Sequence, residues 1–135
     1  MSSFSIEERP DGIHVIYLAD FRRDTTDEWV AASRELLALY NVNGQHLRIL
    51  AKMAKTAMPT PYGMPKAIQL ASERPQSLAL SMAVIIPNNF ILTGLRFILN
   101  QVRDSHYVEM CDTEEKAIQW LDERHRQYLS GQSLS

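Results

Sequence analysis

Residues 47–68 read LRILAKMAKTAMPTPYGMPKAI, and this stretch decides the fold. A short apolar segment of strand character runs into a basic loop containing Thr and Pro, and the loop leads into a helical segment. In an α/β domain, ligands and partners bind at the loop that follows the carboxyl end of a central strand. We therefore expect the functional surface in this loop, which offers Lys52, Lys55, Thr56, Thr60 and Tyr62.

Strand and helix patterns alternate on both sides of this stretch. Residues 4–8 and 13–18 flank a Pro-Asp-Gly turn, which indicates a hairpin. Further strands are predicted at residues 47–53, 78–86 and 107–110, each followed by a helix. The order β-β-α-β-α-β-α-β-α predicts an α/β domain with a mixed sheet of about five strands, parallel beyond the hairpin, and about four helices.

Capping patterns predict where the helices begin and end. Thr25 followed by Glu28 is a capping box, in which each side chain satisfies a backbone donor at the start of the first helix. Gly44 supplies the left-handed residue that ends this helix. Asp112, together with Glu115, is expected to cap the last helix. The buried stripe of the first helix should consist of Trp29, Val30, Ser33, Leu36, Leu37 and Tyr40.

The helix predicted over residues 90–102 carries apolar side chains on more than one side, namely Phe90, Ile91, Leu92, Phe97 and Ile98. Such a helix is either buried on two sides or forms a subunit interface. We favour the second interpretation, in which this helix is the contact of a homodimer.

Composition excludes several classes of protein. A chain of 135 residues is one domain, which we assign to residues 1–129, and residues 130–135 are expected to be a disordered tail. The single cysteine, Cys111, rules out an internal disulfide and fits a reducing compartment. The first residues lack the features of a signal peptide, and no apolar run is long enough to span a bilayer. We expect a cytoplasmic protein.

Charge is distributed unevenly along the chain. Residues 1–44 hold eight acidic and four basic side chains, residues 45–103 hold one and seven, and residues 104–135 hold seven and three. The simpler interpretation, which we favour, is that the acidic ends wrap the basic middle and the fields largely cancel. The alternative is a basic patch that faces an anionic ligand or an acidic partner.

Three segments resemble a known family: TPY at residues 60–62, AVII at residues 83–86 and DTEEKAIQWL at residues 112–121. With the order and lengths of the elements, they resemble the STAS domain, the fold of SpoIIAA-like anti-sigma-factor antagonists and of the cytoplasmic tails of sulfate transporters. Small stand-alone SpoIIAA-like bacterial proteins are the more similar group. The resemblance covers nearly the whole chain, and it implies a SpoIIAA-like fold and a regulatory role in binding other proteins.

One departure from the family pattern bears on mechanism. Phosphorylatable antagonists carry Asp-Ser-Ser or Asp-Ser-Gly where the helix after the central strand begins, and a kinase modifies that serine. Here residues 58–63 read MPTPYG, and Thr60 is the only hydroxyl near the equivalent position. Thr60 is therefore the candidate phosphoacceptor, but it lies between prolines and no Asp precedes it. The resemblance favours partner binding over a kinase-controlled switch.

Residues with catalytic or metal-binding potential are scattered. The histidines, His14, His46, His106 and His125, lack the short spacing of a metal site, so we expect structural roles and no metal. Cys111 has no base or second cysteine beside it in the sequence and is expected to be a small buried hydrophobe. Carboxylates collect at predicted helix starts, where the helix dipole explains them without catalysis.

These observations predict a non-enzymatic STAS-like regulatory or protein-interaction domain, with no cofactor and a protein partner of unknown identity. The alternative is a receptor for a small anionic or lipidic ligand at the start of the helix after the loop, with Lys52 and Lys55 as its cations. Nucleic acid is not expected as a partner, because the net charge is negative and no basic helix carries interleaved aromatics.

Overall fold

The computed structural model describes residues 3–58, 60–85, 93, 96, 100, 105–132 and 134. These residues form a mixed sheet of five strands in sequential order. The strands are β1 (Phe4–Glu8), β2 (His14–Leu18), β3 (Leu47–Met53), β4 (Leu80–Ile85) and β5 (Val108–Cys111). The helices are α1 (Arg23–Asn43), α2 (Gly63–Ser72) and α3 (Glu114–Leu129). Strand β1 is antiparallel to β2, and β2 to β5 are parallel to one another.

The general α/β expectation is confirmed. Strand β3 has the predicted bounds, and β5 is shifted by one residue toward the carboxyl terminus. The described residues contain three of the four expected helices. The remaining one, predicted over residues 90–102, lies outside the described residues except for Thr93, Arg96 and Asn100, and so does the homodimer contact assigned to it.

The two faces of the sheet are covered by different helices. Because side chains alternate along a strand, Ile49 of β3 belongs to the core shared with α1 and α2, whereas its neighbour Leu50 belongs to the core shared with α3. The larger core contains Val30, Leu37, Leu70, Leu78 and Leu80 among others. The smaller one consists of Ile13, Leu50, Ala83, Ala117 and Leu121.

The predicted cap of α1 is wrong. This helix begins at Arg23, and Thr25 lies inside its first turn, where only 2% of its surface is exposed. The side chain of Asp20 accepts a hydrogen bond from the amide of Arg22 at 3.0 Å and another from the hydroxyl of Thr25. The threonine hydroxyl is therefore engaged by a carboxylate before the helix, which sequence spacing alone does not reveal.

The cap of α3 differs from the prediction by one residue. Thr113, not Asp112, is the residue before the helix, and its side chain accepts from the amide of Lys116 at 3.2 Å. Asp112 instead forms an ion pair with the amino group of Lys116 at 3.1 Å. The end of α1 is as predicted, with Gly44 in the left-handed region at φ 64°.

Candidate functional site

The carboxyl edge of the sheet collects the loops that the sequence analysis selected. Because β2, β3 and β5 are parallel, the helices that follow them, α1, α2 and α3, all begin at this edge. The segment between β3 and α2, residues 54–62, is called the β3–α2 loop below. Helix starts carry partial positive charge, so the edge as a whole favours anionic groups.

The β3–α2 loop has a fixed base and an exposed tip. The amide of Ala54 donates to the carbonyl of Leu18 at 2.9 Å, and the amide of Ala57 donates to the carbonyl of Ala54 at 3.0 Å. Ala57 is 0% exposed and packs in the larger core. Because Ala57 holds the loop down, Lys55 and Thr56 are turned toward solvent.

Thr60 ties the loop to its surroundings. Its hydroxyl donates to the carbonyl of Phe21 at 2.8 Å and accepts from the amide of Gly63 at 2.8 Å. A side chain at position 63 would crowd this contact, since a Cβ there would lie 3.0 Å from the Thr60 oxygen. A phosphoryl group on Thr60 would replace the hydrogen that is donated to Phe21. The geometry gives Thr60 a structural role in this conformation.

Tyr62 connects the loop to α1. Its hydroxyl donates to the carboxylate of Asp27, and this hydrogen bond is the main cause of the raised pKa of Tyr62. The guanidinium of Arg23 lies 4.4 Å from the ring centroid, and the ammonium of Lys66 lies 5.6 Å from it. The ring thus contacts two cations, and its negative face attracts them.

Lys52 and Lys55 do not act together. Lys52 lies on the α3 side of the sheet and forms an ion pair with Glu114, the first residue of α3. Lys55 is exposed at the loop tip, and no described carboxylate pairs with it. The structure therefore separates the two lysines that the ligand-receptor interpretation combined. Lys52, Thr60 and Tyr62 make internal contacts, while Lys55 and Thr56 are exposed.

A second polar cluster, which the sequence analysis missed, lies under α3 at the amino edge of the sheet. We call it the histidine cluster. Its members in contact with one another are His46, Ser81, Arg124, His125 and Tyr128, and Arg48 is included because its charge acts on both imidazoles. The two imidazoles are joined through their Nδ1 atoms at 3.0 Å, and their rings stack with centroids 5.2 Å apart. The Nε2 atom of His46 lies 2.8 Å from the hydroxyl of Ser81, which also accepts from Arg124 Nε at 2.8 Å.

Burial and neighbouring cations keep both imidazoles neutral. His46 is 6% exposed, and burial, helped by His125 and by Arg48 and Arg124, lowers its pKa to about 3. Burial also lowers the pKa of His125. At neutral pH the pair therefore shares one hydrogen between the two Nδ1 atoms, as a donor and an acceptor.

The contact between Ser81 and His46 has the distance of a nucleophile and its base, but it lacks the access that catalysis needs. Ser81 is 0% exposed in the interior of β4, and its oxygen already accepts from Arg124. A nucleophile must reach the reacting carbon of a substrate. In this conformation the pair therefore holds β3, β4 and α3 together.

The sequence contained a weak signal for this cluster. Ser81 is a polar residue inside an apolar strand, and Arg124, His125 and Tyr128 recur at helical spacing on the buried side of α3. His46 and His125 are 79 positions apart, so only the fold brings them together.

An apolar cavity of about 130 Å³ lies between the sheet and helices α1 and α2. Its described lining includes Met53 at the end of β3 and Gly63 and Met64 at the start of α2. Other lining residues come from the strands and from α1, among them Leu18, Ile49, Met82, Val84 and Trp29. The cavity therefore adjoins the same helix start as the β3–α2 loop.

Two features of the described part of the chain concern metal binding and membrane insertion. No group of three or more His, Cys, Asp or Glu side chains in this part of the chain is arranged to hold a metal ion. None of its helices combines the length and the apolar character that crossing a bilayer requires. Cys111 is partly buried, and burial together with Glu109 and Asp112 raises its pKa, so its thiol is protonated at neutral pH.

Comparison with known proteins gave no match: no protein-family model, no curated protein and no solved structure is significantly similar to the chain.

Proposed function

We propose that this protein is a non-enzymatic, STAS-like regulatory or protein-interaction domain that binds a protein partner through the tip of the β3–α2 loop. The observation that carries the proposal is the contrast within this loop. Its base is fixed by Ala57 and Thr60, while Lys55, Thr56 and Met58 project from it. Loops held by a rigid scaffold are where binding residues most often lie.

The fixed base favours binding because it lowers the entropy lost on association. A loop that is already ordered before it meets its partner loses less conformational freedom than a flexible one. Here the base is held from three directions: from β2 by Leu18, from the loop before α1 by Phe21, and from α1 by Asp27.

The tip combines groups that suit a protein surface. Met58 is 44% exposed, and methionine adapts to irregular apolar surfaces. Lys55 has no described carboxylate partner, so its ammonium can pair with an acidic side chain of the partner. We therefore expect the partner to present an apolar patch beside a carboxylate.

Site-specific photo-crosslinking in cells tests this proposal. A photo-reactive amino acid replaces Thr56, and in a matched control it replaces Val42, which is 83% exposed near the end of α1 at the opposite edge. We expect one discrete adduct from position 56 that is absent from position 42 and that weakens when Lys55→Glu is added. Equal adducts from both positions, or an adduct indifferent to Lys55→Glu, would contradict the proposal.

The apolar cavity favours a second candidate function, a receptor for a small lipidic ligand near the start of α2. A cavity of about 130 Å³ with apolar walls holds a small aromatic ring or a short alkyl group. Native mass spectrometry of gently purified protein should then show a retained small molecule. Ala67→Leu, which fills space at the wall of the cavity, should abolish the added mass, whereas Ala31→Leu at an exposed position of α1 should retain it.

A further inference from the structure

Two arginines of the histidine cluster are buried without a carboxylate. Arg48 and Arg124 are each 8% exposed, and neither forms an ion pair with a described residue. Arginine is rarely buried to this degree unless it is paired. Arg124 is well satisfied by neutral oxygens, since it donates to Ser81 and to the carbonyls of Leu80 and Leu134.

Arg48 is not satisfied in this way. One terminal nitrogen donates to the carbonyl of Asp11 at 2.6 Å, but its buried Nε has no hydrogen-bond partner among the described residues. A buried donor on a charged group that lacks an acceptor is costly, and native proteins provide one from protein, water or ligand. The Nε and a terminal nitrogen of arginine form the fork that holds two oxygens of one oxyanion.

The surroundings of Arg48 add positive charge and little negative charge. After burial, the charge of Arg48 contributes to the lowered pKa of both imidazoles of the cluster, His46 and His125. One exposed carboxylate, Asp122, acts on His125 in the opposite direction and less strongly than Arg48. Because Asp122 is exposed, solvent screens its charge, and the interior of the cluster keeps an excess of positive charge.

We propose that the histidine cluster binds a small free oxyanion, held by the guanidinium of Arg48 with a hydrogen bond from the imidazole pair. Helix α3 packs on β3, β4 and β5, so Arg48 of β3 lies at the margin of the covered area. His125 is only partly buried, and in this proposal the ion reaches Arg48 from the side of His125. This site is at the amino edge of the sheet, independent of the β3–α2 loop.

The test uses inorganic phosphate as the probe and the histidine resonances of the intact protein as the readout. Phosphate is titrated at constant ionic strength against chloride, because phosphate also stabilises proteins non-specifically. We expect the imidazole signals of His46 and His125 to shift saturably, while those of the exposed His106 stay in place. Signals that move equally in all histidines, or in none, would overturn the proposal.

Variants connect the shift to Arg48. Arg48→Gln should weaken phosphate binding about 10- to 100-fold, the effect of removing a charge-assisted hydrogen bond. Arg126→Gln removes the same charge from an exposed position of α3 and should bind phosphate like the parent. If Arg48→Gln does not fold, the resonance titration of the parent protein still decides the question. Acetate in place of phosphate shows whether a carboxylate suffices or whether the site requires a tetrahedral ion.

Discussion

At the carboxyl edge of the sheet, polar side chains lie close together in the sequence and near the surface, whereas at the amino edge they come from distant segments and are buried. The β3–α2 loop contains its candidate residues within a single stretch. The histidine cluster instead joins His46 to Ser81 across 35 positions and to His125 across 79. Its hydrogen bonds are made in a low-dielectric interior, where each one is stronger and each missing one is more costly.

Polar side chains therefore have different roles at the two edges of the sheet. At the carboxyl edge, internal hydrogen bonds fix the base of the loop and leave a few groups exposed to solvent. At the amino edge, the polar groups contact one another and fix the orientation of α3 on the sheet. We therefore expect substitutions at the amino edge to affect folding strongly and substitutions at the loop tip to affect binding with little change in stability.

The largest effect on stability is expected from Arg124→Met. A small effect would show that the polar groups at the amino edge matter no more for folding than those at the loop tip. The substitution removes the donors to Ser81, Leu80 and Leu134, and it leaves the buried carbonyl of Leu80 without this donor and Ser81 with only His46. We expect the free energy of unfolding to fall by about 3 kcal/mol, as measured by urea denaturation, because several hydrogen bonds from a charged donor are lost in a buried site. Arg126→Met, in the exposed part of the same helix, should change it by less than about 0.5 kcal/mol.

The second largest effect is expected from acidification, which should lower the free energy of unfolding through the histidine cluster. The pKa of His46 is lowered to about 3 in the folded protein, from 6.5, so the unfolded chain binds the proton more readily. Stability from this group is therefore present above pH 6.5 and is lost as the pH falls toward 3. Between pH 7 and pH 5 the loss should be about 2 kcal/mol for one such histidine.

Urea denaturation across this pH range measures the effect, with His46→Gln as the variant that removes the titrating group. The pH dependence of the variant should be shallower than that of the parent. His106→Gln, at an exposed position, serves as the control and should keep the slope of the parent. A parent slope that survives in His46→Gln would show that other groups dominate the pH dependence.

Thr60→Val tests how much the hydrogen bonds at the base of the β3–α2 loop contribute to stability. The substitution preserves the shape of the side chain but removes its hydrogen bonds to Phe21 and Gly63. We expect a loss of about 1–2 kcal/mol in thermal unfolding, the usual range for a helix-start hydroxyl. Thr56→Val, at the exposed tip, should have almost no effect. Equal losses of stability in the two variants would mean that Thr56 also makes a stabilising internal contact.

The smallest effect is expected from Lys52→Met. Its ion pair with Glu114 joins side chains that are 39% and 49% exposed, so solvent screens the attraction. The loss in unfolding free energy should be at most about 1 kcal/mol and should shrink in high salt. Lys55→Met, which has no described partner, should leave stability unchanged. A larger effect of Lys55→Met would reveal an internal role for the loop tip.

Much of the fold could be predicted because it depends on local patterns. The hairpin follows from its Pro-Asp-Gly turn, and the bounds of β3 follow from an apolar run between a helix-ending glycine and a basic loop. The cap of α1 was missed because the hydroxyl of Thr25 bonds to Asp20, a competition that spacing does not reveal.

The position of the β3–α2 loop could be predicted, but its contacts could not. The apolar run of β3 and the Thr- and Pro-containing segment after it predicted a loop at the carboxyl end of a central strand, where ligands bind in α/β domains. The roles of Thr60 and Tyr62 depend on Phe21 and Asp27, which are 39 and 35 positions away. The histidine cluster could not be predicted, because it requires the pairing of β3 with β4 and the placement of α3 across them.

The hairpin turn has a consequence for the order of folding. Gly12 adopts φ 89°, and a Cβ at this position would lie 3.0 Å from a terminal nitrogen of Arg48, so the turn accommodates a residue of β3. A hairpin forms in microseconds from local contacts, but Arg48 can bond to Asp11 only after β3 has paired with β2. A lone hairpin is only marginally stable, so strong amide protection at the turn should appear late in refolding, once β3 has paired with β2, although the turn itself is among the most local elements of the chain.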